Sequence, residues 1–367
     1  MVNLRLSSSI KIVLAFLIIT FCIMLVGCTV VSQPQKSPAG PLGVYRSEDS
    51  GLNWVLKSSI LNTQGKVLTL GDVSVSKILM DPNEPNTLFL ATDKGLWYSL
   101  TTGEGWQQIP LFGSNKINDV AVDYFNKCNV FVVAGQSIYR TTDCLRTWVE
   151  VYVDTRQDLQ ITQIAADHYN KTYVYAANNK GEVLKSVDSG KTWQTIKRVN
   201  NSITQLLIDR DDSRIIYAIT QNAGIYKTAD AGKTWSDEKP ETDINRQLDK
   251  FSESKNKPFL LQDRTKKNSY LMASKYGLLR TTDGGMKWEA IKLITPERSA
   301  NIYALASDPT NAKIIYYSTE NTIYKSTDGG LNWATQKSPT GGIPNFILIN
   351  PKDAKVIYLG AKEMPKK

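Results

Sequence analysis

The chain is nearly devoid of histidine and has few cysteines. Its 367 residues include one histidine, His168, and four cysteines. His168 stands in the short polar segment "ADHYN", which we interpret as a surface turn, so it is unavailable for Ser-His-Asp or Cys-His catalysis. Two cysteines without a histidine cluster do not make a zinc site. We therefore expect no catalytic residue set of these kinds, no metal and no cofactor.

The sequence also lacks a block of Lys or Arg residues. It has 44 basic and 35 acidic residues, for a formal net charge of +9. The small surplus is dispersed, and nucleic-acid binding is therefore not predicted. The glycines serve turns, and none forms a phosphate-binding loop. A basic surface that faces an acidic partner or an anionic membrane stays open.

Long apolar runs are confined to the N-terminus. Arg5 and Lys11 come before the run "IVLAFLIITFCIMLVG", which ends at Gly27 and is followed by Cys28. The run is shorter than the roughly 20 residues of a spanning helix, which favours a signal segment over a transmembrane anchor. The tetrapeptide "LVGC" resembles a bacterial lipobox, in which the cysteine is acylated. We predict a lipoprotein signal peptide (1–27) and a lipidated Cys28 with a flexible tether (28–42).

A motif of the form [ST]-x-D-x-G-x-x-W, called the box below, recurs along the chain, as in "IYKSTDGGLNW". Its Asp and Ser/Thr can accept backbone hydrogen bonds in a turn, and its Gly supplies positive φ. Its Trp starts a strand and buries apolar surface. Thr101 replaces Asp once, and Leu145 replaces Gly once. We predict structural roles for Asp49, Asp143, Asp188, Asp230, Asp283, Asp328, Trp54, Trp106, Trp148, Trp193, Trp235, Trp288 and Trp333.

A second element recurs between the boxes. An Asp or Asn ends a short apolar run, and a large apolar residue follows eight positions later, from Asp81 and Phe89 to Asn350 and Tyr358. Together the two elements indicate four strands, A to D, in a unit of 42 to 53 residues counted from Trp to Trp. The chain begins in strands C and D and ends in strands A and B.

This order of strands predicts an all-β fold in one domain (43–362), followed by a short tail (363–367). The expected architecture is a seven-bladed β-propeller of four-stranded antiparallel blades. Its ring is closed by pairing N-terminal strands C-D with C-terminal strands A-B, which hides the sheet edges.

The two cysteines that remain after Cys22 and Cys28 are assigned form an even pair in an exported protein, which favours a disulfide. Counting outward from Gln136, in the predicted B–C turn, Cys128 and Cys144 each lie eight residues away. They therefore face each other near one end of a hairpin. We predict a Cys128–Cys144 disulfide, with two free thiols as the alternative.

The box resembles the Asp box, or BNR repeat, of sialidases, xyloglucanases, sortilin-type receptors and photosystem II assembly-factor propellers, over residues 43–362. The resemblance implies the fold and leaves the activity open. It also implies that ligands bind the face opposite the boxes, where D–A connections, B–C turns and the starts of strands A meet. The predicted binding residues there are Lys116, Asn118, Asp119, Gln160, Thr162, Asn256 and Asn301, beside polar neighbours such as Asn345.

No catalytic signature of the enzyme families is recognised. The sialidase Arg-Ile-Pro sequence is absent, and a hydrolase needs two carboxylates across a cleft, whereas Asp119 is the one carboxylate among the predicted mouth residues. We predict a non-enzymatic protein-binding scaffold or assembly factor, lipid-anchored outside the cytoplasm in the periplasm, at the cell surface or in a thylakoid lumen. The alternative is a carbohydrate-binding or glycoside hydrolase propeller.

A basic residue comes just before six of the boxes. We favour an aliphatic stem packed between blades with its charge reaching water, over a ring of basic charge. The six are Arg46, Arg140, Lys185, Lys227, Arg280 and Lys325.

Two long D–A connections, 57–72 and 236–257, fall on the predicted binding face. Long loops on one face of a ring often carry partner contacts. A solvated insertion is the equally open alternative.

Overall fold

Apolar and polar residues alternate on both sides of each box, and these segments form the strands. The structure is a computed structural model that describes residues 40–61 and 68–365. The predicted signal peptide, Cys28 and residues 28–39 of the tether lie outside the described residues. Within them, no helix is long and apolar enough to cross a membrane.

The described residues form twenty-nine strands. In chain order they are β1 (Gly43–Ser47), β2 (Val55–Leu56), β3 (Ser59–Ile60), β4 (Leu68–Thr69), β5 (Val75–Met80), β6 (Leu88–Thr92), β7 (Gly95–Ser99), β8 (Gln107–Gln108), β9 (Ile117–Val122), β10 (Val130–Ala134), β11 (Ser137–Thr141), β12 (Val149–Val153), β13 (Ile161–Ala166), β14 (Val174–Asn178), β15 (Glu182–Ser186), β16 (Gln194–Arg198), β17 (Ile203–Ile208), β18 (Ile216–Thr220), β19 (Ile225–Thr228), β20 (Phe259–Gln262), β21 (Tyr270–Ala273), β22 (Leu278–Thr281), β23 (Glu289–Ile291), β24 (Ala304–Ser307), β25 (Ile315–Ser318), β26 (Thr322–Ser326), β27 (Ala334–Lys337), β28 (Ile343–Ile349) and β29 (Ile357–Lys362).

Twenty-seven of these strands build seven antiparallel blades within the described part of the chain, and β3 and β4 form a separate two-stranded sheet. Blades 1 to 6 are β5–β8, β9–β12, β13–β16, β17–β19, β20–β23 and β24–β27, and blade 7 has the order β2-β1-β29-β28. In blade 7, Gly43 pairs with Ala361 and Ser47 pairs with Ile357. The predicted seven-bladed propeller and its closure by the two chain ends are therefore confirmed.

Blade 4 differs from the other six because it has three strands. The segment after Trp235, predicted as the fourth strand, is instead a 3₁₀ helix (Ser236–Glu238), followed by helix α1 (Ile244–Leu248). The Asn245 side chain accepts a hydrogen bond from Ile225 N at 2.8 Å and donates one to Ile225 O at 2.9 Å. An amide group thus takes the hydrogen bonds that a fourth strand would make at this residue.

The connection 236–257 is consequently part of the core rather than a purely solvated insertion. Ile244 and Leu248 are fully buried and pack in one cluster with Tyr217 and Trp288. Burying two large aliphatic side chains stabilises a fold by several kcal/mol, roughly 1.5–3 kcal/mol each.

Neighbouring blades pack through the large apolar residue that follows the turn Asp or Asn by eight positions. Every one of these side chains is at most 3% exposed. The seven are Phe89, Phe131, Tyr175, Tyr217, Leu271, Tyr316 and Tyr358. This spacing therefore marks the apolar contact between sheets.

The box in blade 3 illustrates the hydrogen bonds of these turns. Gly190 N donates to Ser186 Oγ at 2.7 Å, and Thr192 N donates to Asp188 Oδ1 at 2.9 Å. The Thr192 hydroxyl also donates to Asp188, at 2.6 Å, and this bond is the largest of several that lower the pKa of Asp188 to about 2. The carboxylate is thus used within its own turn.

The box tryptophans divide into two groups by burial. Trp106, Trp235 and Trp288 are buried. The side chains of Trp54, Trp148, Trp193 and Trp333 are half-buried.

Cys128 and Cys144 form a disulfide in blade 2, as predicted. Cys128 lies in the A–B turn and Cys144 in the box, so the bond joins two turns at the same end of the blade. Leu145, in the glycine position of this box, adopts φ 71°, in the left-handed region that glycine usually occupies.

The basic residue before the box joins successive blades. Five of the six donate to the backbone carbonyl between the Asp and Gly positions of the next blade's box, an arrangement we call the interblade clasp. The donor–acceptor pairs are Arg46–Thr102 (3.0 Å), Lys185–Ala231 (3.0 Å), Lys227–Gly284 (3.2 Å), Arg280–Gly329 (3.2 Å) and Lys325–Ser50 (3.0 Å).

The sixth, Arg140, donates to Asn129 of its own blade at 2.7 Å. The five clasp side chains are half-buried, and each donates to a carbonyl of the next blade, a bond that the sequence did not predict. Arg46 also forms ion pairs with Glu48 and Glu104.

Candidate functional site

The innermost strands A of the blades surround a central cavity of about 460 Å³. Its wall combines polar side chains such as Asn118 and Gln163 with apolar ones such as Leu261 and Leu305. Asp119 is the one carboxylate that lines this cavity within the described residues. No group of three His, Cys, Asp or Glu residues in the same part of the chain is arranged to hold a metal.

Asp119 is buried and its carboxylate accepts three hydrogen bonds from the protein. Lys77 Nζ donates to it at 2.5 Å, Val120 N at 2.8 Å and Ile164 N at 3.0 Å. The carboxylate therefore ties blade 2 to blades 1 and 3. Lys77, its ion-pair partner, was not among the predicted site residues, because its place in a strand does not reveal a partner 42 residues away.

Several amide and hydroxyl groups of the channel also join neighbouring blades. Asn118 Nδ2 donates to Ile161 O at 2.7 Å, and Thr162 Oγ1 donates to Ile203 O at 2.7 Å. Asn345 closes the ring with a bond to the first strand A, from Nδ2 to Val75 O at 2.8 Å. These donors hold the inner strands together, so they are only partly available to a ligand.

A groove of about 300 Å³ opens on the face predicted to bind ligands. It lies between the connection from blade 1 to blade 2, the B–C turn of blade 2 and the start of blade 3. The groove brings together three of the predicted residues, Lys116, Asn118 and Gln160, and also Leu111 and Phe112, which were not predicted. We refer to it below as the groove.

The groove has an aromatic floor and a mixed rim. Phe112 is buried, with its ring centroid 5.4 Å from that of Tyr139 and 5.1 Å from that of Trp148. Leu111 is 52% exposed at the rim, and Lys116, also exposed, lines the same groove. Such a surface can accept an apolar side chain and hydrogen-bond the polymer that carries it.

Asn256 and Asn301 do not belong to this group. Each lies three residues before its strand, β20 or β24, and neither lines the groove or the cavity. Asn256 donates to Glu253 at 2.9 Å, and Asn301 accepts from Lys275 at 3.2 Å. The prediction that they start strands A is wrong, because the connections to blades 5 and 6 are longer than the repeat suggests.

Solved structures share the propeller fold with this chain. A GH74 enzyme from Niastella koreensis has a TM-score of 0.62 at 16% identity, covering 79% of this chain and 51% of its own. YCF48 from Cyanidioschyzon merolae has a TM-score of 0.58 at 13% identity, covering 79% and 95%. YCF48 bound to D1 peptide has a TM-score of 0.56 at 17% identity, covering 83% and 100%. At these identities the similarity shows the fold alone, and this chain spans about half the length of the GH74 enzyme.

Comparison with curated protein sequences gives no match. A domain family does match: residues 112–340, more than half of the chain, correspond to the DUF6242 beta propeller domain. The match begins at Phe112 in the groove and extends past the blade 6 box to Thr340. The chain belongs to the DUF6242 beta propeller family.

Proposed function

We propose that this chain is an exported lipoprotein that binds a protein partner through the groove and acts as a scaffold or assembly factor at a membrane. The observation that carries the proposal is that the carboxylate of the central cavity, Asp119, is bound to the protein, whereas the groove presents exposed side chains. The carboxylate of the central cavity already accepts hydrogen bonds from three protein donors. The groove, in contrast, presents an exposed Leu111 and a Lys116 that forms no ion pair within the described residues.

The state of Asp119 argues against acid–base hydrolysis in the cavity. A glycoside hydrolase uses two carboxyl groups about 5–10 Å apart, and one of them must exchange a proton with the substrate. A single carboxylate that already accepts from an ammonium group and two backbone amides does not meet this requirement. Incubation of the full chain with xyloglucan is expected to release no reducing ends, and release would support the hydrolase alternative.

The chemistry of the groove favours a peptide segment as its ligand. A volume of about 300 Å³ suits one or two side chains of a loop, and the amides of Asn118 and Gln160 lie beside the aromatic floor. That YCF48, a propeller of similar fold, has been solved bound to D1 peptide supports peptide binding as a use of this fold.

Export and anchoring are part of the proposal. The Cys128–Cys144 disulfide supports an oxidising compartment. Acylation of Cys28 is expected, and mass spectrometry of the membrane fraction should find an N-terminal lipidated cysteine. An intact Met1, or a soluble product cleaved elsewhere, would contradict the anchor.

Photo-crosslinking in the producing cell tests the partner site. A photoreactive residue at Leu111 is expected to give a discrete protein adduct. The matched control is Leu331, which is 80% exposed on the opposite face, in the blade 6 box. Equal adducts from both positions, or none from Leu111, would overturn the assignment of the groove.

A further inference from the structure

The other end of the central channel carries an asymmetric ring of side chains. Strands A run from the groove side to the A–B turns, so these turns surround the opposite mouth. The first residue after the turn Asp or Asn is proline in blades 6, 7 and 1. In the consecutive blades 2 to 5 it is Tyr124, His168, Arg210 and Arg264. At this position three neighbouring blades thus carry a rigid apolar ring, and the other four carry aromatic or cationic groups.

The four side chains occupy the same position, directly after the turn Asp, in four consecutive blades, and so surround the same mouth of the channel. The ring centroids of Tyr124 and His168 lie 5.7 Å apart. Arg264 is solvent-exposed. Partial desolvation lowers the pKa of Arg264, the charge of Arg210 lowers it further, and Tyr124 raises it.

Three of the four carboxylates in the turns that carry Arg210 and Arg264 have partners of their own, whereas the fourth, Asp211, is exposed beside Arg210. Asp209 accepts from the Tyr270 hydroxyl and from Gln262 Nε2, the latter at 3.1 Å. Asp263 accepts from Thr265 Oγ1 at 2.7 Å, and Asp212 pairs with Arg214 at 2.7 Å.

Arg210 and Arg264 themselves form no ion pair within the described residues. Two neighbouring guanidinium groups repel each other, and a bound anion would remove this cost.

We propose that Tyr124, His168, Arg210 and Arg264 form a binding site for an oxyanion, a carboxylate or a phosphate group, at this mouth of the channel. The planar guanidinium fork matches both groups in a two-point hydrogen bond. Tyr124, 47% exposed, offers an aromatic face and a hydroxyl donor to the remainder of the ligand. The site is separate from the groove and needs no protein partner there.

Isothermal titration calorimetry of the detergent-solubilised full chain with inorganic phosphate and with acetate tests this site. Saturable binding of at least one anion is expected, and the anion that binds identifies the ligand chemistry. Arg264→Gln should weaken binding by about tenfold or more, the effect of losing a charged hydrogen bond. Arg210→Gln should weaken binding to the same extent, and this variant replaces Arg264→Gln in the test if Arg264→Gln does not fold.

Arg146→Gln is the matched control. Arg146 is exposed in the blade 2 box on the outer part of the same face, and this variant loses the same charge. Its affinity is expected to stay within about twofold of the wild type, since a distant charge is screened. The absence of saturable binding to either anion, or equal weakening by Arg146→Gln, would overturn the proposal.

Discussion

Replacing Lys227 with Met tests the interblade clasp. The ammonium group of Lys227 donates to Gly284 O at 3.2 Å and lies 5.5 Å from the centre of the Tyr217 ring. Burial lowers the pKa of Lys227, so part of the clasp's benefit is offset by the loss of water around the charge. Methionine keeps most of the apolar stem and removes the charge.

A hydrogen bond to a charged group contributes about 1.5–3 kcal/mol, and desolvation reduces this amount. The Gly284 carbonyl also keeps a second donor, the Tyr217 hydroxyl at 3.2 Å. We therefore expect Lys227→Met to lower the free energy of unfolding by about 1–2 kcal/mol. Urea unfolding followed by tryptophan fluorescence measures this change, and Lys233→Met, at an exposed position in the blade 4 box, is the control.

The combination with Tyr217→Phe makes the test sharper. The double variant leaves a buried carbonyl without a donor, so its loss should exceed the sum of the two single losses by about 1 kcal/mol. If Lys227→Met matched the wild type within ~0.3 kcal/mol, or if the two changes were strictly additive, the clasp would not contribute as described.

Three further results are expected. The turn holds the pKa of Asp188 at about 2, below the usual 3.8. The ionised carboxylate therefore stabilises the fold above pH 3.8, and this contribution is lost as the pH falls toward 2. The melting temperature should drop across that pH range in the wild type, and less in Asp188→Asn. Replacing Cys128 and Cys144 together with Ser should cost about 3 kcal/mol by the loop-entropy relation, and unchanged stability would show that the bond is dispensable. Trp235→Ala should cost about 3–5 kcal/mol because this side chain is buried, and Trp333→Ala should cost less because Trp333 is half-buried; equal losses would contradict the burial argument.

The fold could be predicted because its pattern is periodic. The box and the apolar residue eight positions after each turn Asp or Asn recur in register, and the first and last strands of the pattern complete one blade. The missing fourth strand of blade 4 could not be predicted from the residues around its box. Trp235 resembles every other box tryptophan, and Asn245, which replaces the missing strand's bonds to Ile225, lies 20 residues further along the chain.

The candidate site was less accessible to sequence reasoning. An amide that faces a ligand and one that faces a neighbouring carbonyl are identical in sequence, so the bond from Asn118 to Ile161 could not be foreseen. The same holds for Asp119, whose ion-pair partner belongs to another blade. Leu111 and Phe112 carried no signal, because irregular connections lack the periodicity that identifies strands.

The most direct test of the proposed function is hydrogen exchange of the full chain with and without the partner identified by its adduct with Leu111. We predict slower amide exchange on binding in the connection 109–116 and in the B–C turn at Gly135, which border the groove. The boxes on the opposite face should exchange at unchanged rates. Protection confined to the boxes, with no change around the groove, would contradict the account.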